Sequence, residues 1–239
     1  MDLKKFSDRI YYLESEEKSD SPVLGYVRGE VFSLMVDAGT GKAHVDMFMS
    51  ALADNDLPEP VFSVVTHHHW DHSFGMASLE AITIGCKDCA KKLKALEEIE
   101  WSEEGLAYAI ESGLVPSFCE EHIRMAYPNL EDIEVFAPDM VFEGEMVVDL
   151  GGCTAVIRQI PSPHGSDCIV VYVPEEKLLF TGDGLSAGLV GNDWIDDTEE
   201  VVKLQKLLRN LDFETCITGH GEPMTKYEVL ADLAERING

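Results

Sequence analysis

The spacing of apolar residues changes period several times along the 239-residue chain. Short apolar bursts predict strands over Arg9 to Leu13, Val23 to Val27 and Glu30 to Val36, with a hairpin turn across Val27, Arg28, Gly29 and Glu30. Asp37, Gly39 and Gly41 break this pattern. Val45, Phe48, Met49 and Leu52 then recur at helical spacing and predict a helix over 42–54, ended by Pro58 and Pro60. Val61 to Val65 is a short apolar run of the kind a buried strand carries. A helix is expected to begin over 72–80, and a further strand runs from Ala81 to Gly85. Strand and helix thus alternate in the first half, which predicts an α/β fold.

Residues 87–127 read as helical, with no strand pattern. Between Ala95 and Ile123 there are eight Glu and no Lys or Arg, and Trp101, Tyr108, Phe118 and Met125 are interspersed over 101–125. Two readings stay open: an amphipathic helical layer, or a cap over a pocket. From 135 to 182 the strand pattern returns, over Glu145 to Leu150, Thr154 to Ile160, Cys168 to Val173 and Lys177 to Thr181. A helix over 198–210, a strand over 213–218 and a last helix over 225–237 complete the chain. With no linker, repeat or low-complexity segment, residues 1–239 read as a single domain.

Composition narrows the function. A hydrophobic fraction of 45% can supply a large core. No apolar stretch opens the chain as a signal peptide would, and no run approaches the ~20 residues of a membrane span. A cytoplasmic protein with six reduced cysteines is expected, so Cys86 and Cys89 are read as packing thiols rather than a zinc knuckle or redox pair. Eighteen Lys and Arg against 45 Asp and Glu leave a formal charge of −27. Such a surface repels polyphosphates, so nucleic acid is excluded as a partner and a small-molecule substrate is expected.

The chemistry gathers at Thr66 to His72, where four of the eight histidines surround Trp70 and Asp71. In extended backbone, His67 and His69 point the same way and His68 the other, so His68 is given no ligand role. Asp71 and His72 follow as the chain turns toward helix. Catalytic zinc needs three protein ligands and an open position, and the cluster alone is too small for two metals. His164, Asp183 and His220 each follow an apolar strand in or beside a Gly-containing loop. Any one of them taken alone reads as an ordinary polar loop residue. Taken with the cluster, they bring the N/O ligands to seven. His44 reads as a helix-surface residue, and His122 as a pocket residue only if 87–127 is a cap.

These residues resemble the signature of the metallo-β-lactamase superfamily. His67, His69, Asp71 and His72 match its H-x-H-x-D-H motif, His164, Asp183 and His220 its later motifs, and Asp37 its first. The resemblance implies a four-layer αββα sandwich with a two-metal site at one edge. It assigns His67, His69 and His164 to one metal, Asp71, His72 and His220 to the other, and Asp183 to a bridge. Asp37 would orient ligands without binding metal. An Asp at the bridging position points to the glyoxalase II-like and lactonase-like branch, although the chain lacks the C-terminal helical domain with which glyoxalase II holds glutathione. Pro163 and His164 stand where the family has Pro-Gly-His.

The expected function is hydrolysis of an ester, lactone, thioester or related bond of a small molecule by a hydroxide held on two divalent metal ions. Zinc is the first choice, and iron or manganese accept the same donors. Asp71 is the expected catalytic carboxylate. Two other classes compete: an iron-dependent redox enzyme on the same fold, and a retired scaffold that only binds ligand. Trp70, Trp194 and the aromatics of 101–127 serve either a substrate pocket or the core.

Overall fold

The computed structural model describes residues 2–190 and 193–238. Four strands, β1 (Leu3–Lys5), β2 (Ile10–Leu13), β3 (Leu24–Arg28) and β4 (Ser33–Val36), form an antiparallel meander. Helix α1 (Lys42–Asp54) leads to β5 (Phe62–Val64), and the short α2 (Trp70–Ser73) to β6 (Ile82–Cys86). Helices α3 (Lys87–Glu97), α4 (Glu103–Glu111) and α5 (Glu120–Ala126) precede β7 (Met140–Phe142). These seven strands make one sheet in sequence order, with β4 to β7 parallel.

The second sheet contains β8 (Glu145–Asp149), β9 (Thr154–Gln159), β10 (Ile169–Val173) and β11 (Leu178–Gly182). After them come a separate two-stranded ribbon, β12 (Gly188–Val190) with β13 (Asp193–Ile195), then α6 (Thr198–Asn210), β14 (Thr215–Thr218), β15 (Met224–Thr225) and α7 (Lys226–Asn238). The second sheet runs β15-β14-β11-β10-β9-β8, with β11 and β14 parallel.

The layering follows from side-chain alternation. On β4, Leu34 and Val36 enter a cluster that also holds Ile157, Ile169, Val171 and Phe180 of the second sheet, so these faces oppose one another. The alternate residues Met35, Leu24 and Tyr26 pack outward on Phe48 and Leu52 of α1. On the other sheet, Val170 and Leu179 pack outward against Leu204 and Leu208 of α6 and Leu233 of α7. The order is helix, sheet, sheet, helix, as the motif resemblance implied.

Strand directions gather the polar loops. β4 and β5 are parallel, so their C-terminal ends, leading to Asp37 and to the 66–72 segment, reach the same edge. In the second sheet β9 and β11 both run antiparallel to β10, and β14 runs parallel to β11. The segments carrying His164, Asp183 and His220 therefore leave that sheet at one edge.

Strands β1, β7, β12 and β13 escape the sequence pattern: β1 contains a single apolar residue, β7 is three residues long, and the β12–β13 ribbon lies apart from both sheets. The predicted helix at 72–80 is α2 followed by a 3-10 turn from Phe74 to Ser78. His44 is 3% exposed and faces inward from α1, which corrects its reading as a surface residue. All six cysteines are buried and unpaired, and the Cys86 thiol caps α3 by accepting the Cys89 N–H. No helix among the described residues is long and apolar enough to cross a membrane.

Candidate metal centre

Two groups of donors face each other at this edge. His67, His69 and His164 form one, and Asp71, His72, Asp183 and His220 the other, with the donor atoms of each group within 4.8 Å of one another. In the first, His164 Nε2 lies 3.3 Å from His67 Nε2 and 3.1 Å from His69 Nδ1. In the second, Asp71 Oδ2 stands 3.1 Å from His72 Nε2 and 3.2 Å from His220 Nε2. Asp183 sits between them: Oδ1 is 3.6 Å from His72 Nε2, and Oδ2 is 3.8 Å from both His220 Nε2 and His164 Nε2. All seven residues picked from the sequence are thus brought together.

The rings are aimed by their outer nitrogens. His164 Nδ1 lies 2.9 Å from the Ala187 carbonyl, so its N–H donates outward and Nε2 is left as a lone pair. The Thr66 hydroxyl donates to Asp37 Oδ2 at 3.0 Å and accepts from His67 Nδ1 at 3.2 Å, which bares His67 Nε2. His72 donates from Nδ1 to Asp37 Oδ2 at 2.8 Å. Asp37, 1% exposed, also takes the Thr66 N–H on Oδ1 at 2.7 Å. It aligns ligands from both groups and faces neither, as expected of an orienting residue.

His72 Nε2 is fully buried and, among the described residues, makes no well-formed hydrogen bond, although the Asp71 and Asp183 carboxylates stand beside it. In the first group, two bare lone pairs and a third ring nitrogen converge. Such a donor set is unfavourable alone and fits divalent cations. Burial pushes His67 and His69 well below the usual imidazole range, keeping them neutral. Burial raises the Asp183 carboxyl, but His72, His220 and His164 outweigh it and hold it at about 2. Burial also opposes charge on His72, yet Asp71, Asp37 and Asp183 drive its pKa well up. The second group is thus strongly polarised, and His67 and His69 of the first are neutral.

Local sequence explains the close approach. A Cβ at Gly219 would lie 2.1 Å from Asp183 Oδ1 and 2.9 Å from His72 Cε1, so only glycine admits both. Gly182 adopts φ +48°, and a Cβ there would strike the Thr66 hydroxyl. The loop at Pro163-His164, without the family's glycine, is tied by Ser162, whose hydroxyl accepts from His164 N–H at 3.1 Å and donates to Gly184 O at 2.8 Å.

His68 turns away, as expected, and has a partner the sequence did not reveal. Its backbone N–H and Nδ1 both lie 2.9 Å from Asp167 Oδ2. Lys92 donates to Asp167 Oδ1 at 2.6 Å, and the Cys86 thiol donates to its carbonyl. The Asp167 side chain is 1% exposed. Burial pushes its carboxyl up, but the His68 hydrogen bond and charge, with Lys92, hold it far below the usual range. Its position three residues after His164 is the only signal the sequence offered.

The donors open into a cleft of about 450 Å³. Phe118, Pro116 and Cys119 of the helical excursion line one side, and Trp194 of β13 another. The excursion therefore reaches the site through its 116–119 segment. Trp194 stacks on the His164 ring with centroids 6.1 Å apart and planes at 12°, and meets Phe118 at 5.7 Å. Trp101 packs in the core and Tyr108 is exposed. His122 stands 3.9 Å from Asp20, a cleft-lining residue, and does not line the cleft itself.

Comparison with known proteins agrees with this architecture. The chicken (Gallus gallus) protein named acyl-coenzyme A thioesterase MBLAC2 is 24% identical over 234 residues, covering 91% of this chain and 79% of its own. Its human counterpart is 21% identical over 204 residues, covering 80% and 68%. Among solved structures, a metallo-beta-lactamase from Pontibacter korlensis has a TM-score of 0.67 at 18% identity, over 100% of this chain and 99% of that one. A Sulfolobus tokodaii metallo-beta-lactamase superfamily protein gives 0.65 at 21% identity, over 96% and 86%. The family model described as metallo-beta-lactamase superfamily matches residues 23–220, and with the sandwich and its two donor groups in place, the chain belongs to that superfamily.

Proposed function

We propose that the protein is a metal-dependent hydrolase with two divalent cations, zinc first among them, and that its substrate is an acyl thioester. One metal would be held by His67, His69 and His164, the other by Asp71, His72 and His220, with Asp183 shared. The observation carrying the metal chemistry is the gathering of seven donors into two groups, the second of which includes a buried imidazole nitrogen that makes no well-formed hydrogen bond. The thioester rests on the relatives named acyl-coenzyme A thioesterase and on the aromatic cleft, which suits an apolar acyl group.

When bound, the metal pair would supply Lewis acidity and an activated water. The chain supplies the rest. In hydrolysis the water oxygen bonds the acyl carbon, the C–S bond breaks, and the water's proton is transferred to the departing sulfur. Asp71, whose Oδ2 lies 3.2 Å from His220 Nε2, is the carboxylate to which we assign receiving and passing that proton. Asp37 holds the His72 tautomer, and the Ala187 carbonyl holds that of His164. The Phe118 and Trp194 rings would shield the acyl group and reduce water around the reacting carbon.

The test is metal analysis and hydrolysis on wild type, His67→Ala and Asp183→Ala, against a panel of acyl-CoA thioesters, esters and lactones. Expected are two metals per wild-type chain, loss of metal in both variants, and preferred cleavage of thioesters. Less than one metal per wild-type chain, with both variants unchanged in metal and activity, would overturn the metal assignment. Ester or lactone cleavage with inert thioesters would overturn the substrate.

A further inference from the structure

A second cleft of about 730 Å³ adjoins the first and shares His69, Pro116 and His164 with it. Its walls are α3, the 110–117 segment and Leu189 of β12. The reacting centre is thus the junction of two clefts. Among the described residues the first is lined by Phe118, Trp194 and acidic groups, with no Lys or Arg. The second has Lys91 and Lys92 in its wall.

Helix α3 concentrates positive charge on a chain of −27. Lys87, Lys91 and Lys94 stand at i, i+4 and i+7 and so share one helix face. Lys87 is paired with Glu143, and Lys92, off that row, is bound by Asp167. Among the described residues Lys91 and Lys94 have no acidic partner, although acidic side chains outnumber basic ones 45 to 18. A cation left unpaired on so acidic a surface, in the wall of a cleft that opens onto the donors, is suited to an anion.

We propose that this second cleft binds the anionic, non-acyl arm of the substrate. The acyl group occupies the Phe118–Trp194 cleft, the thioester lies over His69 and His164, and the thiol-side chain runs along α3 so that its phosphates meet Lys91 and then Lys94. Glu111 lines the same cleft and opposes the anion, which limits its affinity and aids product release. The proposal rests on the thioesterase reading and says which cleft takes which half of the substrate.

The experiment compares a medium-chain acyl-CoA with the same acyl group on N-acetylcysteamine, which keeps the thioester and lacks phosphate. Metal-loaded wild type, Lys91→Glu and Glu111→Gln are assayed at low and high salt. Reversing one exposed charge should raise KM for acyl-CoA about fivefold at low salt, with kcat held. Glu111→Gln should lower that KM, the salt dependence should shrink in Lys91→Glu, and the truncated thioester should be indifferent to both changes. Equal effects on both substrates, or none on acyl-CoA, would overturn the subsite. If wild type cleaves the truncated thioester but Lys91→Glu leaves acyl-CoA kinetics intact, the subsite fails and the thioesterase reading survives. If wild type cleaves neither thioester, both fail.

Discussion

Asp37→Asn isolates the residue that aligns both donor groups. Asparagine is isosteric, so packing is retained and only the charge and one acceptor change. Its carbonyl can still accept the Thr66 N–H that now meets Oδ1 at 2.7 Å. Its NH₂ must then face His72 Nδ1–H and the Thr66 hydroxyl, both of which now donate to Oδ2. Two buried hydrogen bonds to a charged acceptor are lost, at about 1.5–3 kcal/mol each, and hydroxyl rotation recovers part of the Thr66 bond. The net cost is about 3 kcal/mol, or about 9 °C in Tm for a chain of this length. With Nδ1 no longer anchored, the His72 ring is free to turn or change tautomer, and affinity for the metal at Asp71, His72 and His220 should fall 10- to 100-fold, roughly. Thermal unfolding of chelator-treated protein reads the first effect, and metal titration reads the second. A variant within about 1–2 °C of wild type, binding two metals with unchanged affinity, would refute the role given to Asp37.

Three further outcomes follow from the same geometry. Gly219→Ala places a methyl group where Asp183 Oδ1 stands, so metal content should fall while the far-ultraviolet circular dichroism spectrum is kept; full metal loading would contradict the close approach. Burial, and then the proximity of His72, push His44 down to about 4. The unfolded chain takes up this proton near pH 6.5 and the native chain only near 4. Stability tied to His44 is therefore complete above pH 6.5 and lost by about 3 kcal/mol as pH falls to 4. In urea unfolding, His44→Leu should lack that slope relative to wild type, and parallel curves would contradict it. Asp167→Asn leaves the Lys92 ammonium without its carboxylate and the His68 bonds weakened, which should cost about 3 kcal/mol of stability. Calorimetry checks this, and an unchanged Tm would contradict the clamp.

What the sequence made legible was periodicity. α1 and α6 lie on the residues their spacing predicts, because each has one apolar face and clear stops. Strands β3, β4, β10 and β11 read easily because both of their faces are buried, giving continuous apolar runs. β12–β13 was illegible for the opposite reason. It belongs to neither sheet, Trp194 is 54% exposed, and no buried face imposes alternation. Its value lies in the ring it lays on His164, which no local pattern encodes.

The site divides in the same way. The candidate donors are legible because metal chemistry demands particular side chains after particular strands, and seven such residues meet at one edge. Their supports are not, because any buried acceptor can serve. Asp167 shows the difference. It holds His68 by two bonds, and His68 lies between His67 and His69, donors of the first group. It also binds Lys92 on α3, the helix whose outer row carries Lys91. One buried carboxylate therefore ties the donor segment to the wall of the second cleft. His68, silent in the sequence as a ligand, becomes the link between them. A change at Asp167 should accordingly disturb metal affinity and the acyl-CoA KM together, whereas Lys91→Glu should disturb only the KM. If Asp167→Asn left KM intact while lowering metal affinity, α3 would be positioned independently of the donor segment.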